Sequence, residues 1–173
     1  MKGVIVMCLK EMIETNYGSD KWIEVLVNSN VDTKTAFIAF ADIDDAIVLK
    51  MLGSASKILK ITSIQAADAF GDYWVNVYAQ KMYRSMFVGK KTAKEFLLSM
   101  DQLHVGVTQN IKNAHPPRFE YELKGEKTLI IKYKSDRGLI DIFIGLIKGV
   151  GKLYKENLLV SKLGNNLVQV QFN

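Results

Sequence analysis

The apolar residues of this chain first change their spacing at Pro116-Pro117, and that change restricts the fold more than any other feature. Upstream they recur every three to four residues, as on a helix face; downstream they alternate, as on a strand. Ile5, Leu9, Met12 and Ile13 make the first helical face, which Tyr17-Gly18-Ser19-Asp20 ends. Gly18 suits a C-cap there, and Ser19 or Asp20 suits capping the next helix, which carries Trp22, Val25 and Leu26. Asp42 to Lys60 reads as a further helix, with Ile47, Met51, Ile58 and Leu59 as its apolar side. Ile64 to Met82 follows, its stripe being Ala67, Phe70, Trp74, Val77 and Tyr78. Thr92-Ala93-Lys94-Glu95 has the form of a capping box and opens a helix to about Lys112, which the two prolines prevent from continuing.

Beyond the prolines, Phe119, Tyr121 and Leu123 alternate with Arg118, Glu120 and Glu122. Lys124-Gly125-Glu126 turns the chain into a second arm, Thr128 to Tyr133, so a hairpin is expected. Asp141 to about Leu158 reads helical again, and Leu167 to Phe172 reads as a final strand. The expectation is one α+β domain, helices first and a small antiparallel sheet with a packed helix after.

Composition narrows the function classes. At 173 residues, 49% apolar and 24% charged, the chain suits a single soluble globular domain. No apolar run approaches the roughly 18 residues that cross a bilayer, and the N-terminus lacks an h-region with a cleavage site, so it reads as a mature helix. Cys8 is the only cysteine, which excludes an internal disulfide or a cysteine metal cluster and suits a reducing cytoplasm. The net charge of +5 raises nucleic acid or a membrane surface as partners. The lysines are scattered rather than clustered, so the expectation is a solvated surface, no nucleic acid and no membrane insertion. Gly89-Lys90-Lys91-Thr92 has the ending of a phosphate loop, but Arg84 stands where the upstream glycine belongs. No Ser/His/acid or Cys/His pairing suggests nucleophilic catalysis, and Cys8 reads as core.

The chemistry concentrates in one histidine and one short motif. His104, in Met100-Asp101-Gln102-Leu103-His104, lies within the stripe Phe96, Met100, Leu103, Val107 and Ile111, so its imidazole points inward. For a lone histidine the plain reading is a neutral ring bonded to a backbone carbonyl. Downstream, Tyr133, Ser135 and Arg137 alternate, which on an extended strand puts two hydroxyls and a guanidinium on one face. Alone that motif is the polar face of an edge strand. Together, a buried imidazole and a carboxylate-binding cluster match the two demands of a haem: an axial ligand for iron, and donors for two propionates.

The combination resembles the haem nitric oxide/oxygen binding family, H-NOX, in its bacterial form. Met1-Lys2-Gly3, Ala69-Phe70-Gly71 and Pro116-Pro117 agree with that family as well, and the resemblance runs over almost the whole chain. It implies a helical N-terminal part, about 1–65, and a haem-ligating C-terminal part, about 66–173, with haem b between them. It implies His104 as the iron ligand and Tyr133, Ser135 and Arg137 as propionate donors. Pro117 is then the residue that presses on the porphyrin, and Gly71 is either a pivot or a helix-packing glycine. Oxygen-holding members carry a tyrosine where Ile142 stands here, so this chain is expected to hold nitric oxide and carbon monoxide and to exclude oxygen. Ile5, Leu9 and Leu146 complete an apolar gas pocket, with Trp74 and Tyr78 on the distal helix; His115 matches no ligand and reads as surface. The implied function is a non-catalytic sensor that signals by weakening of the iron–histidine bond and a shift between the two parts. Its effector would be a histidine kinase, a cyclic-dinucleotide enzyme or a chemotaxis receptor. The alternatives are an oxygen sensor with Tyr78 as donor, and a haem-free basic binding module.

Overall fold

The helices come first because that is where the 3.6-residue repeat lies, and the sheet begins two residues after Pro116. The computed structural model describes residues 1–173 and divides into two compact units, Met1–Ala66 and Ala67–Asn173.

In the first unit, α1 (Gly3–Tyr17) buries Val6, Leu9, Met12 and Ile13. The orphan amides at its start are met by a loop: Gly3 and Val4 donate to the carbonyls of Ala41 and Ala39, both at 2.9 Å. Gly3 has no alternative there, since a Cβ would lie 2.2 Å from the Ile38 carbonyl oxygen. Gly18, at φ +90°, closes α1 and directly precedes α2 (Ser19–Asn28). Neither Ser19 nor Asp20 therefore caps α2, because both already lie inside it, but Trp22, Val25 and Leu26 are buried as expected. The third helix, α3 (Asp45–Ile58), starts later than Asp42 because Asp44 is its cap, accepting from the Ala46 amide at 2.7 Å. Asp42 instead receives Lys2 Nζ at 2.5 Å. The core face of α3 is Val48, Met51 and Ala55, and Ile47 is 40% exposed; one residue of phase turns a helix by about 100°.

The second unit opens with α4 (Ser63–Tyr73), which begins just before the boundary. The long helix expected over 64–82 is there, but it is interrupted by a five-residue π turn, Trp74–Tyr78, before α5 (Ala79–Met82). A 3-10 turn, Arg84–Phe87, leads to α6 (Ala93–Thr108). Thr92 caps α6 as expected, its hydroxyl accepting from the Glu95 amide at 3.1 Å. The Glu95 carboxylate reaches back one residue beyond the usual box, to the Lys91 amide at 2.7 Å. A second acid, Glu156, accepts from the Ala93 amide at 2.9 Å. α6 stops short of Lys112, and the stripe read beyond His104 is not core, since Val107 is 37% exposed.

The expected hairpin forms from β1 (Arg118–Lys124) and β2 (Thr128–Lys134), with Phe119 opposite Tyr133. α7 (Ile140–Tyr154) ends where Lys155 takes a left-handed conformation, φ +57°, short of the expected Leu158, which instead opens an unexpected strand, β3 (Leu158–Lys162). With β4 (Leu167–Phe172) the sheet has the order β1-β2-β4-β3, antiparallel throughout. Its core face holds Leu129, Ile131, Val168 and Val170 against Phe96 and Leu97 of α6 and Phe143, Ile147 and Val150 of α7. Each such side chain contributes roughly 1.5–3 kcal/mol by leaving water.

Candidate functional site

The site grows from the second half of α6. His104 Nδ1 lies 2.8 Å from the Met100 carbonyl one turn back. A carbonyl can only accept, so Nδ1 carries the proton and Nε2 presents a lone pair. Burial pushes the imidazole pKa down, outweighing the Met100 hydrogen bond and the Asp101 charge that raise it, and keeps the ring neutral. The edge of the ring meets Phe119, centroids 5.3 Å apart. Phe119 stacks on Phe143 at 4.9 Å, and Phe143 on Tyr133 at 5.3 Å. One aromatic chain thus brings the imidazole and the first hydroxyl of the donor motif into a common cluster.

Asp101, one turn before His104, fastens α6 to β1. Its carboxylate takes Arg118 Nε at 2.8 Å and Nη2 at 2.6 Å, and also the Phe119 amide at 2.9 Å. The Arg118 guanidinium is the main reason its pKa falls to about 2. Tyr121 adds a hydroxyl 3.1 Å from the Asp101 amide. Sequence reading passed over Asp101, Arg118 and Phe119 as functional residues; the only signal was the acid of Met-Asp-x-x-His, with no partner to match it to.

The donor motif is not a single strand face. Tyr133 lies in β2, but the strand ends at Lys134, and Ser135 and Arg137 belong to the turn that follows. Gly138, at φ +64°, completes that turn, and the Arg137 amide faces Ser135 Oγ at 3.4 Å. Ser135 and Arg137 are therefore positioned by a tight turn beyond the strand end, and strand alternation does not set them on one face with Tyr133. Arg137 Nη1 donates to the His115 carbonyl at 2.6 Å, which ties the motif to the loop before Pro116. The His115 residue itself is exposed, as read.

Comparison with known proteins turns on one match. The profile of the haem-NO-binding family fits residues 2–162. The chain belongs to that family. As an H-NOX domain it is a haem-based gas-sensing module related to soluble guanylate cyclases, and a sensor rather than a catalyst. The soluble guanylate cyclase gcy-32 of Caenorhabditis elegans is 28% identical over 159 residues, covering 88% of this chain and 23% of that protein. The chain thus spans under a quarter of the length of the curated relatives it matches. Among solved structures, an oxygen-binding H-NOX domain in its oxygen complex is 26% identical with a TM-score of 0.84, covering 100% of this chain and 95% of that one. An H-NOX protein from S. oneidensis reaches a TM-score of 0.89 at 15% identity, over 100% of this chain and 96% of the other, a likeness of fold.

H-NOX domains bind haem, and the donor set here fits one. His104 offers a neutral nitrogen oriented by a backbone acceptor, as metal-bound histidines are. Tyr133, Ser135 and Arg137 offer the hydroxyls and guanidinium that carboxylates take. Ile142 and Leu146, four residues apart on α7, are half-buried, whereas Phe143, Ile147 and Val150 face the sheet. Trp74 and Tyr78 stack at 5.6 Å across the π turn, and Trp74 also stacks on Tyr83 at 6.4 Å. Leu9 is buried and Ile5 half-buried on α1.

Gly71 sits where α4 crosses α7. A Cβ there would lie 2.1 Å from the Gly145 carbonyl carbon, and one on Gly145 would lie 2.2 Å from the Ala67 carbonyl oxygen. Lys148 to Asp68 at 2.7 Å, Lys152 to Asp72 at 2.5 Å and Asn76 Nδ2 to the Gly149 carbonyl at 3.1 Å flank the crossing. These close backbone contacts leave no room for a side chain at residue 71.

Proposed function

We propose that this H-NOX domain senses nitric oxide, binds carbon monoxide as well, and excludes oxygen. The observation that supports it is Ile142, half-buried on α7 with Leu146 one turn further along. Iron-bound dioxygen is polarised and relies on a hydrogen-bond donor, which an isoleucine lacks; nitric oxide and carbon monoxide rely on one far less. Haem b, held by His104 and by Tyr133, Ser135 and Arg137, would supply the ferrous iron that the gas binds. The non-covalent form is favoured because the single cysteine, Cys8, is buried in α1 and no C-x-x-C-H attachment motif occurs.

In this reading, gas binding releases the restraint on His104. α6, the Pro117 segment and a pivot at Gly71 pass the change to an effector, a ligand biasing a two-state element. The effector is a histidine kinase, a cyclic-dinucleotide enzyme or a chemotaxis receptor, with a nucleotide cyclase added by the nematode relatives. A cytoplasmic setting is part of the proposal; no helix is long and apolar enough to cross a membrane.

Absorption spectra of the reduced protein test the reading. The expected result is no oxygenated spectrum in air, with clear shifts on adding nitric oxide or carbon monoxide, and oxygen affinity introduced by Ile142→Tyr. A stable oxygenated spectrum in the parent, abolished by Tyr78→Phe, would instead make Tyr78 the donor and oxygen the ligand.

A further inference from the structure

Residues 116 and 117 carry no backbone N–H, so this segment cannot pin itself by donating to its surroundings. It is pinned from both sides instead. Upstream, the His115 carbonyl takes Arg137 Nη1 at 2.6 Å. Downstream, Arg118 gives two side-chain bonds to Asp101 and Phe119 gives its amide to the same carboxylate. The Ala114 amide is bonded locally, to the Ile111 carbonyl at 3.2 Å.

We propose that Arg137 and Asp101 are positioning residues for Pro117, suspending the proline segment between the carboxylate-binding turn and the helix of His104. The proposal rests on the reading of Pro117 as the residue that bears on the haem. A guanidinium has five N–H donors on a rigid fork, so Arg137 can hold the His115 carbonyl with one arm while another meets a carboxylate. The same side chain then serves as propionate donor and as tether. A change at the carboxylate is felt by the proline segment without passing through the iron ligand. Asp101 closes the other end, so a movement of α6 at His104 pulls on Arg118 and Phe119 directly. Lysine cannot replace Arg137 in this, because a single ammonium is a point donor that reaches the carbonyl or the carboxylate with proper geometry, but not both.

Amide hydrogen exchange on the haem-loaded protein tests the proposal, comparing the parent with Arg137→Lys, Arg137→Ala and Asp101→Asn. Both Arg137 variants should exchange about tenfold or more faster over residues 111–115, the ratio carried by a hydrogen bond to a charged group, with residues 128–134 unchanged. Asp101→Asn should accelerate Arg118 and Phe119 in preference to 111–115. In resonance Raman spectra, Arg137→Lys should weaken the out-of-plane porphyrin bands. Unchanged exchange at 111–115 in both Arg137 variants would overturn the proposal. So would acceleration spread evenly over residues 67–173, or porphyrin bands in Arg137→Lys equal to the parent's. The gas spectra of the parent report on the sensing function separately, so failure of one reading leaves the other visible.

Discussion

Alanine at Gly71 should destabilise the protein, and the same substitution at Gly53 or Gly106 should stabilise it. All three glycines lie inside helices, where alanine is the better helix former by roughly 0.8–1 kcal/mol. At Gly53 and Gly106 an added Cβ meets nothing within 4 Å, so that gain stands alone. At Gly71 it meets backbone atoms of Gly145 and Leu146 at 2.1–2.4 Å, where contacts under 3.0 Å essentially never occur. Backbone cannot rotate away as a side chain can, so α4 and α7 must part by about 1 Å. Overpacking of this kind costs roughly 1–3 kcal/mol. Losing the Asn76 bond to the Gly149 carbonyl adds about 1. The exposed pairs Lys148–Asp68 and Lys152–Asp72 add little. Offsetting the helix-propensity gain leaves a net loss of about 2 kcal/mol, or roughly 4–8 °C in melting temperature for a chain of this size. Thermal unfolding followed by circular dichroism on the three variants reads it. A melting temperature for Gly71→Ala at or above that of Gly53→Ala would refute the packing account of the crossing.

Three further outcomes are expected. His104→Gly should retain haem poorly unless imidazole is added, and full occupancy with an unchanged ferrous spectrum would remove His104 from the ligand role. Arg137→Ala should speed haem loss more than Ser135→Ala, since a charge-assisted contact contributes roughly 1.5–3 kcal/mol against about 1 for a neutral one, with Tyr133→Phe between them; equal loss rates in a transfer assay would contradict this. The Asp101 carboxyl, held by Arg118 at about 2 in the folded chain against an ordinary 3.8, contributes stability that is complete above about pH 4 and is lost as pH falls towards 2. The stability gap between the parent and Asp101→Asn in denaturant titrations should therefore close over that interval, and a gap constant with pH would show that the charge is not what matters.

What the sequence made legible was whatever local spacing encodes. Thr92 and Glu95 announce a helix start because a cap needs those groups three residues apart, and Lys124-Gly125-Glu126 announces a turn because Gly125 adopts φ +70°. The period change at the prolines carried the order of helices and sheet. The end of β2 was hidden, because Tyr-x-Ser-x-Arg alternates identically whether the chain runs straight or turns after Lys134. β3 was hidden because its apolar part, Leu158-Leu159-Val160, is too short to show an alternation, and the left-handed Lys155 that separates it from α7 has no distinctive residue type. The π turn shifts phase by a single residue within a stripe that still reads as helical. The clamp at Asp101 joins residues 17 apart on elements of different kind, and no periodicity reports such a pairing.

The strand order β1-β2-β4-β3 has a consequence for how the domain is made. β2, which delivers Tyr133, is bonded on one side to β1 and on the other to β4, residues 167–172, and the Tyr133 amide is fixed by the Asn166 carbonyl at 2.8 Å. On a ribosome, β1, β2 and the helix of His104 emerge well before their last neighbour. Until β4 clears the exit tunnel, β2 is an open edge, with unpaired amides and an apolar face that nascent-chain partners can reach. The sheet beneath Tyr133 is thereby completed only once β4 has emerged, not at the moment when His104 first appears.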